Sequence, residues 1–348
     1  MSKTIEIKIN EKSRVPKYKQ IVDSVIEDIS KGNLKVGEKI PSINELSATC
    51  YLSRDTVEKA YRQLKKQKII HSVKGKGYYA AKSNLISKTN ILFLINKPSS
   101  YKMMIYNSFV KEMGMNEHVT LSIYHCEESL FRNTLEGSIG VYDYYVIMPH
   151  FKDEKLRHVS STPEILTALE LIPKDKLVIL DNQNPEIKGD YGAIFQDFRE
   201  DIRYALKEAL NKLKQYDNLI LVYPSKAIYP YPKRILNGFR QFCIEEGFDF
   251  EIIEEIYDDM ELQTKDVYIT IQEMDLVNIV RQIRAKNLRM GRDIGVISYN
   301  DTPLKELLGI TVISTDFKAM GGTAAYMVLK NKSEKVKNVF RYIERNSV

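Results

Sequence analysis

From residue 53 to residue 64 the polar and apolar side chains separate with a helical period. Val57, Ala60, Tyr61 and Leu64 recur at i, i+3, i+4, i+7 and form one buried face. Ser53, Arg54, Thr56, Glu58, Lys59 and Arg62 are left pointing elsewhere. Short hydroxyls and cations at the start of a helix suit an anionic surface that also offers hydrogen-bonding edges. Further on, Lys74-Gly75-Lys76-Gly77 alternates two cations with glycines, which let a backbone come close to a phosphate. A second set of polar residues, scattered over the later part of the chain, needs a fold to gather it. No paired catalytic carboxylates, Gly-rich phosphate loop or nucleophile motif stands out, so no catalytic residue is expected. The five His, at 71, 118, 125, 150 and 158, have no metal-ligand spacing, and neither a metal nor a cofactor is expected.

The elements that must position the first set can be read locally. Ser42 and Glu45 have the Ser-x-x-Glu spacing of a capping box, with Pro41 just before the cap. Ser53 is a good N-cap, with Asp55 in the first turn where the helix dipole favours negative charge. Two short helices joined by a polar break make a helix-turn-helix; the plain alternative is a helical hairpin with a solvated charged face. Upstream, Ile5, Ile7 and Ile9 alternate like a short strand or extended arm. Tyr18, Ile21, Val22, Val25, Ile26 and Ile29 then trace one helix face ending near Gly32, and Gly37 marks a turn. After Lys68 two β-type runs flank the Gly-rich turn and end in Tyr78-Tyr79-Ala80-Ala81, a β-hairpin. Three helices and a hairpin make a winged helix. Residues 1–82 carry 18 Lys and Arg against 9 Asp and Glu, or +9; the remaining residues carry 34 against 37, or −3. A basic head on a mildly acidic body points the head at a polyanion.

Residues 16–82 resemble the DNA-binding domain of the GntR family of bacterial regulators. The matching residues are Tyr18-x-Gln20-Ile21, Gly32-x-Leu34-x-x-Gly37-x-x-Ile40-Pro41-Ser42-x-x-Glu45-Leu46, Leu52-Ser53-Arg54-x-Thr56-Val57, Ala60-Tyr61 and Gly75-x-Gly77. The resemblance implies double-stranded DNA as partner, with the second helix in the major groove and the wing along the backbone or minor groove. It carries contact roles to Ser42, Ser53, Arg54, Thr56, Lys74, Gly75, Lys76, Gly77 and Tyr78. Well-known branches have Arg where this chain has Asn44 and Glu58, so base readout is not transferable from them. Glu58 either accepts from a cytosine amino group or faces solvent. Asn44, Glu58 and Lys59 complete the candidate DNA-contacting set.

Residues 1–81 are thus expected to be a winged-helix DNA-binding domain and 82–89 a polar linker. Residues 90–348 read as alternating strands and helices. Apolar runs at 91–95, 119–124, 144–148, 177–180, 219–223, 250–256, 267–271 and 294–299 are separated by helical patterns such as 202–213 and 276–283. Repeated βα units give an α/β fold with parallel sheets, and the length is too great for one sheet, so two similar lobes are expected. Ligands of such sheets sit beyond the carboxyl ends of the strands. With two lobes those ends face one another across a cleft. The rule selects Ser99, Ser100, Tyr101 and Lys102, then His150, Asp181 and Asn182. In the second lobe it selects Ser225, Tyr229, Tyr231, Lys233, Arg234, Gln272 and Asn300-Asp301. Carboxylate, amide, guanidinium and aromatic groups together suit a neutral sugar.

This texture resembles the effector domain of LacI-family repressors, which is like the periplasmic sugar-binding proteins. Gly295-Val296-Ile297-Ser298-Tyr299-Asn300-Asp301, Ile313-x-Thr315-Asp316-Phe317 with Gly321, and Tyr342-Ile343-Glu344-Arg345-Asn346-Ser347 carry it. The resemblance implies ligand contacts at Asp181, Gln272 and Asn300. It also implies one at Arg234, although Arg234 stands four residues before Gly238 where that family has three. The candidate effector-binding set is Ser99, Ser100, Tyr101, His150, Asp181, Tyr229, Tyr231, Arg234, Gln272 and Asn300. Each has the plain alternative of a polar residue satisfying its own loop.

The expected protein is a homodimeric, sugar-controlled repressor of carbohydrate-utilisation genes, and not an enzyme. A sugar phosphate stays open as effector, because Lys102, Lys233 and Arg234 carry charge. So do, remotely, a fusion to a pyridoxal-phosphate enzyme and a different effector fold. Three scattered Cys, no leader-like N-terminus and no apolar run long enough to span a bilayer suit a reducing cytoplasm and no membrane partner.

Overall fold

The computed structural model describes residues 7, 9–11, 13–30, 33–81, 89–114, 117–182 and 186–348. Ile5, Gly32 and all of the expected linker except Thr89 lie outside the described residues. Chain contacts divide the protein into two units, Met1–Lys88 and Thr89–Val348.

In the first unit the apolar periodicity closes three helices over a small sheet. These are α1 (Lys17–Ser30), α2 (Ile43–Cys50) and α3 (Arg54–Lys66), with β1 (Lys39–Ile40), β2 (Ile70–Val73) and β3 (Gly77–Ala80). The faces read from the sequence are the ones buried: Ile21, Val22, Val25 and Ile29 of α1 meet Leu46, Val57, Ala60, Tyr61 and Leu64. Each fully buried aliphatic side chain of this kind contributes roughly 1.5–3 kcal/mol. The wing is a three-stranded antiparallel sheet in the order β1-β3-β2, where the sequence suggested only a hairpin. The added strand is two residues long, too short to show a period.

The second unit holds two parallel sheets. The first lobe contains β4 (Asn90–Ile95), α4 (Ser100–Met113), β5 (His118–Ile123), α5 (Glu128–Glu136), β6 (Tyr144–Ile147), the pair β7 (Phe151–Lys152) and β8 (His158–Val159), α6 (Pro163–Glu170), β9 (Leu177–Asn182) and β10 (Gly192–Gln196). The chain then crosses into α7 (Phe198–Glu208), α8 (Leu210–Leu213), β11 (Asn218–Val222), α9 (Lys233–Glu246), β12 (Asp249–Ile253), β13 (Asp266–Thr270), α10 (Glu273–Ala285), β14 (Gly295–Tyr299), α11 (Pro303–Leu307) and β15 (Thr311–Thr315). It returns for α12 (Phe317–Lys330) and β16 (Lys335–Lys337), and crosses again to β17 (Phe340–Ile343). The sheet orders are β16-β10-β9-β6-β4-β5 and β12-β11-β13-β14-β15-β17, with only the β15–β17 pairing antiparallel in them. The helix expected over 202–213 is broken, because α7 ends at Glu208 and α8 starts a new turn after Ala209.

Two features fix this arrangement, one within the first lobe and one at the crossings between lobes. A Cβ on Gly321 would stand 2.2 Å from the Ile105 carbonyl oxygen, so only glycine permits the close contact of α12 with α4. Asn338, buried, binds all three crossings. Its backbone N–H donates to the Phe195 carbonyl at 2.7 Å. Its Nδ2 donates to Thr315 Oγ1 at 2.8 Å and to the Asp316 carbonyl at 3.0 Å.

Candidate functional site

The first unit presents a charged surface on rigid supports. Ser42 Oγ accepts from the Glu45 N–H at 3.2 Å, and Glu45 Oε2 accepts from the Ser42 N–H at 2.7 Å, closing the capping box. Those bonds hold the Glu45 carboxyl below its ordinary range. Ser53 caps α3 through the Thr56 N–H at 3.3 Å and bonds the Thr56 hydroxyl at 2.7 Å. The side chains of Arg54, Lys74 and Lys76 are exposed and make no ion pair or hydrogen bond among the described residues, and Asn44 is exposed beside the α2 cap. Glu58 receives Arg62 at 3.2 Å along the helix, and Lys59 Nζ stands 4.2 Å from the centre of the Tyr18 ring. Both contacts are surface contacts that exchange at little cost. The Tyr78 ring stacks on Tyr61 at 4.8 Å and 8°, which fixes the wing against α3. Gly75 at φ +75° and Gly77 at φ +108° occupy conformations that disfavour side chains, and a Cβ on Gly77 would meet the Lys39 side chain at 3.1 Å.

Between the lobes of the second unit lies a cavity of about 420 Å³. Asn96, Lys97, Pro98, Ser99, Ser100, Tyr101 and Lys102 enter it from the β4–α4 turn. His150, Asp181 and Gln196 come from the ends of neighbouring strands in the same lobe, and Phe198 and Phe317 from the crossings. The other lobe supplies Tyr231, Pro230, Pro232, Ile235, Ile271, Gln272, Glu273, Met274, Tyr299 and Asn300. Asp181 at φ +72° and Asn300 at φ +65° both hold the left-handed conformation, which Asp and Asn tolerate better than most residues. It turns their side chains off the strand ends.

Asp181 is the electrostatic centre. Lys102 Nζ and Gln196 Nε2 both donate to its carboxylate, and His150 Nε2 donates to it at 3.0 Å. Burial works to raise its pKa, but Lys102 and the His150 hydrogen bond outweigh burial and hold the carboxyl well below its usual range. His150 Nδ1 meets His158 Nε2 at 2.8 Å, and burial, then Lys102, pushes the His150 pKa down. Burial and the neighbouring His150 push His158 down to about 2. Both imidazoles are therefore neutral, with His158 donating to His150 and His150 to Asp181. Reaching across to the other lobe, Tyr101 donates its hydroxyl to Glu273 Oε1 at 3.0 Å and accepts from Lys305 Nζ at 3.1 Å. Lys305 also donates to the carbonyls of Tyr299 at 2.8 Å and Asn300 at 3.0 Å. Burial pushes the Lys305 pKa down to about 8.

Of the residues selected from sequence, Ser99, Ser100, Tyr101, His150, Asp181, Tyr231, Gln272 and Asn300 line this cavity. Tyr229 and Arg234 do not. Tyr229 bonds His125 at 2.9 Å, and Arg234, outside the cavity, pairs with Asp197 at 2.7 Å. Ser225 bonds Glu254 instead, and Lys233 is exposed. Gln196 and Phe198 were missed because β10 was missed. Its sequence, Gly-Ala-Ile-Phe-Gln, opens on two poor strand formers. Lys97 was passed over as part of a polar turn, though its position directly after an apolar strand was the available signal.

A family profile described as "Bacterial regulatory proteins, gntR family" matches residues 17–79, and one described as "Periplasmic binding protein-like domain" matches residues 212–348. Among curated relatives, the HTH-type transcriptional repressor YtrA of Bacillus subtilis is 36% identical over 112 residues, covering 32% of this chain and 78% of YtrA. The mannosyl-D-glycerate transport/metabolism system repressor MngR of Escherichia coli is 42% identical over 64 residues, covering 18% of this chain and 27% of MngR. Among solved structures, a LacI family transcriptional regulator from Lactobacillus casei with bound glucose superposes with a TM-score of 0.58 at 13% identity, covering 74% of this chain and 99% of that one. That likeness is one of fold.

Proposed function

The chain belongs to the GntR family of bacterial transcriptional regulators, and from that premise we propose that it represses carbohydrate-utilisation genes under the control of a small sugar-type effector. The observation that carries the reading is the joining of two sites in one chain. A winged helix holds Arg54, Lys74 and Lys76 uncommitted, and a cavity between two lobes is lined by hydroxyl, amide and aromatic groups. Ser42, Asn44, Ser53, Arg54, Thr56, Glu58 and Lys59 are the proposed groove-facing residues, and the wing residues 74–78 the proposed backbone contacts. A homodimer on a pseudo-palindromic operator follows from the need to place two such heads in matching half-sites. Effector occupancy alters DNA affinity only through its different affinity for two lobe arrangements, typically worth 1–3 kcal/mol. The sugar-related names of MngR and the glucose-bound neighbour support the effector class.

The test is a gel shift of the full chain on the DNA upstream of its own gene. Arg54→Ala should weaken specific binding at least tenfold while leaving the fold intact, since Arg54 is exposed. Full retained specificity removes α3 as the reading helix. A panel of sugars and sugar derivatives none of which changes the shift ends the effector reading.

A further inference from the structure

The cavity contains one positive charge that the protein leaves unanswered. Asp181 is taken by Lys102, His150 and Gln196, and Glu273 by Tyr101 with Lys305 behind it. Asp301, outside the cavity, holds Arg345 through two bonds at 2.9 Å. Lys97 has no ion-pair or hydrogen-bond partner among the described residues. Its Nζ stands over the faces of Tyr231 at 4.6 Å and Tyr229 at 5.8 Å from the ring centres. Tyr faces stabilise an ammonium only modestly, far less than a counter-ion does in a site shielded from water. The residue is half-buried, and burial followed by repulsion from Lys102 pushes its pKa down to about 8. The N-terminal end of the 14-residue helix α4 opens at the same corner, since Pro98, Ser99 and Ser100 line the cavity beside Lys97. Asn96, also lining it, keeps its buried Oδ1 without a hydrogen-bond partner among the described residues, an acceptor suited to a ligand hydroxyl.

We infer that the effector carries a fixed negative charge, a phosphate ester or a carboxylate on a hydroxylated carbon frame, and that Lys97 is the residue that pairs with it. The inference rests on the reading of this cavity as the effector site. It relocates the anion contact as well. Lys102 is committed to Asp181, and Lys233 and Arg234 are outside the cavity, so none of the cations selected from sequence serves. A neutral sugar closing over Lys97 would strip water from the ammonium and return no charge to it. An anion reverses that balance.

Calorimetric titration of the full chain at fixed ionic strength tests this with matched compounds: D-glucose, D-glucose 6-phosphate and D-gluconate, D-ribose and D-ribose 5-phosphate, and inorganic phosphate as a bare anion. The expected result is Lys97-dependent binding of inorganic phosphate, and at least tenfold tighter binding of an anionic member than of its neutral parent. Lys97→Met should abolish both effects, and Lys97→Arg should keep them. The ester and acid arms separate phosphate from carboxylate. Ligand-free Lys97→Met should melt at or above the wild-type temperature, because it removes an unmatched cation, so lost binding cannot be put down to misfolding. Binding of inorganic phosphate that is absent or equal in wild type and Lys97→Met overturns the inference. So does a neutral sugar bound as tightly as its acid or ester, but that outcome leaves the effector reading standing. The effector reading falls only on the operator gel shift described above.

Discussion

Asp181 stays ionised with almost no water beside it, because three donors converge on its carboxylate: Lys102, His150 and Gln196. The imidazoles are held neutral by burial, and a second proton on His158 would place a charge in a site shielded from water and beside His150. That sets a pH dependence with a definite sign. The unfolded chain takes up a proton on His158 near pH ~6.5, whereas the folded protein holds its pKa at about 2. Stability is therefore lost as pH falls below about 6.5, by about 1.4 kcal/mol per pH unit for each imidazole kept neutral. Asp181 adds a loss of the same sign in a lower window, below its unfolded value of ~3.9, because its folded pKa is depressed. Urea unfolding of the C-terminal unit's transition between about pH 6 and about pH 5 should show wild type losing about 1.2 kcal/mol more than His158→Gln. Equal slopes in the two proteins would mean that His158 titrates freely in the folded state.

The wing is the element whose role is separable from base reading. Lys74 and Lys76 alternate with Gly75 and Gly77 at its tip, and Tyr78 anchors it to Tyr61 on α3. Contacts of lysines to phosphates displace counter-ions, each changing the slope of log affinity against log salt by about 0.9. Lys74→Gln with Lys76→Gln should lower that slope by about 2 and weaken specific and non-specific DNA alike. A double variant that changes the preferred sequence instead would place the wing tip at base edges. This element was legible in advance because Gly-flanked cations and β-type runs are local signals. So were the strand ends that carry Asp181 and Asn300, where apolar runs stop at a polar residue. Elements lacking a local signal were not legible. The two residues of β1 are too few for a period, and β10 begins with Gly and Ala, which hid Gln196. Arg234 had the right charge, but α9 begins at Lys233 and directs that turn toward Asp197, outside the cavity. Direction of that kind depends on tertiary packing and leaves no trace in spacing.

At the scale of the effector unit, the two lobes touch through a polar latch. The Tyr101 hydroxyl, on α4 of the first lobe, bonds Glu273 on α10 and Lys305 on α11 of the second. Asn338 ties the three crossings at their middle, so relative motion of the lobes must pivot there while the latch opens or closes. The latch adds stability to this closed arrangement, so it biases the lobe equilibrium that the proposed effector and operator would share. If effector selects the closed arrangement and operator the open one, Tyr101→Phe moves the two affinities in opposite directions. Loss of two hydrogen bonds, one to a carboxylate and one to a buried ammonium, is worth roughly 1–3 kcal/mol, or about 5- to 150-fold in the equilibrium. Effector binding should weaken by up to that factor, because a smaller fraction of the protein is competent to bind. Operator binding without effector should tighten or, where the open form already dominates, stay level. Fluorescence anisotropy on labelled operator, paired with calorimetry on effector, measures both quantities in one preparation. A Tyr101→Phe protein in which both affinities fall together would point to damage at the cavity wall and dissolve the latch. Opposed shifts require the hydroxyl to act on the lobe equilibrium, since no contact with DNA is available to it in the cavity.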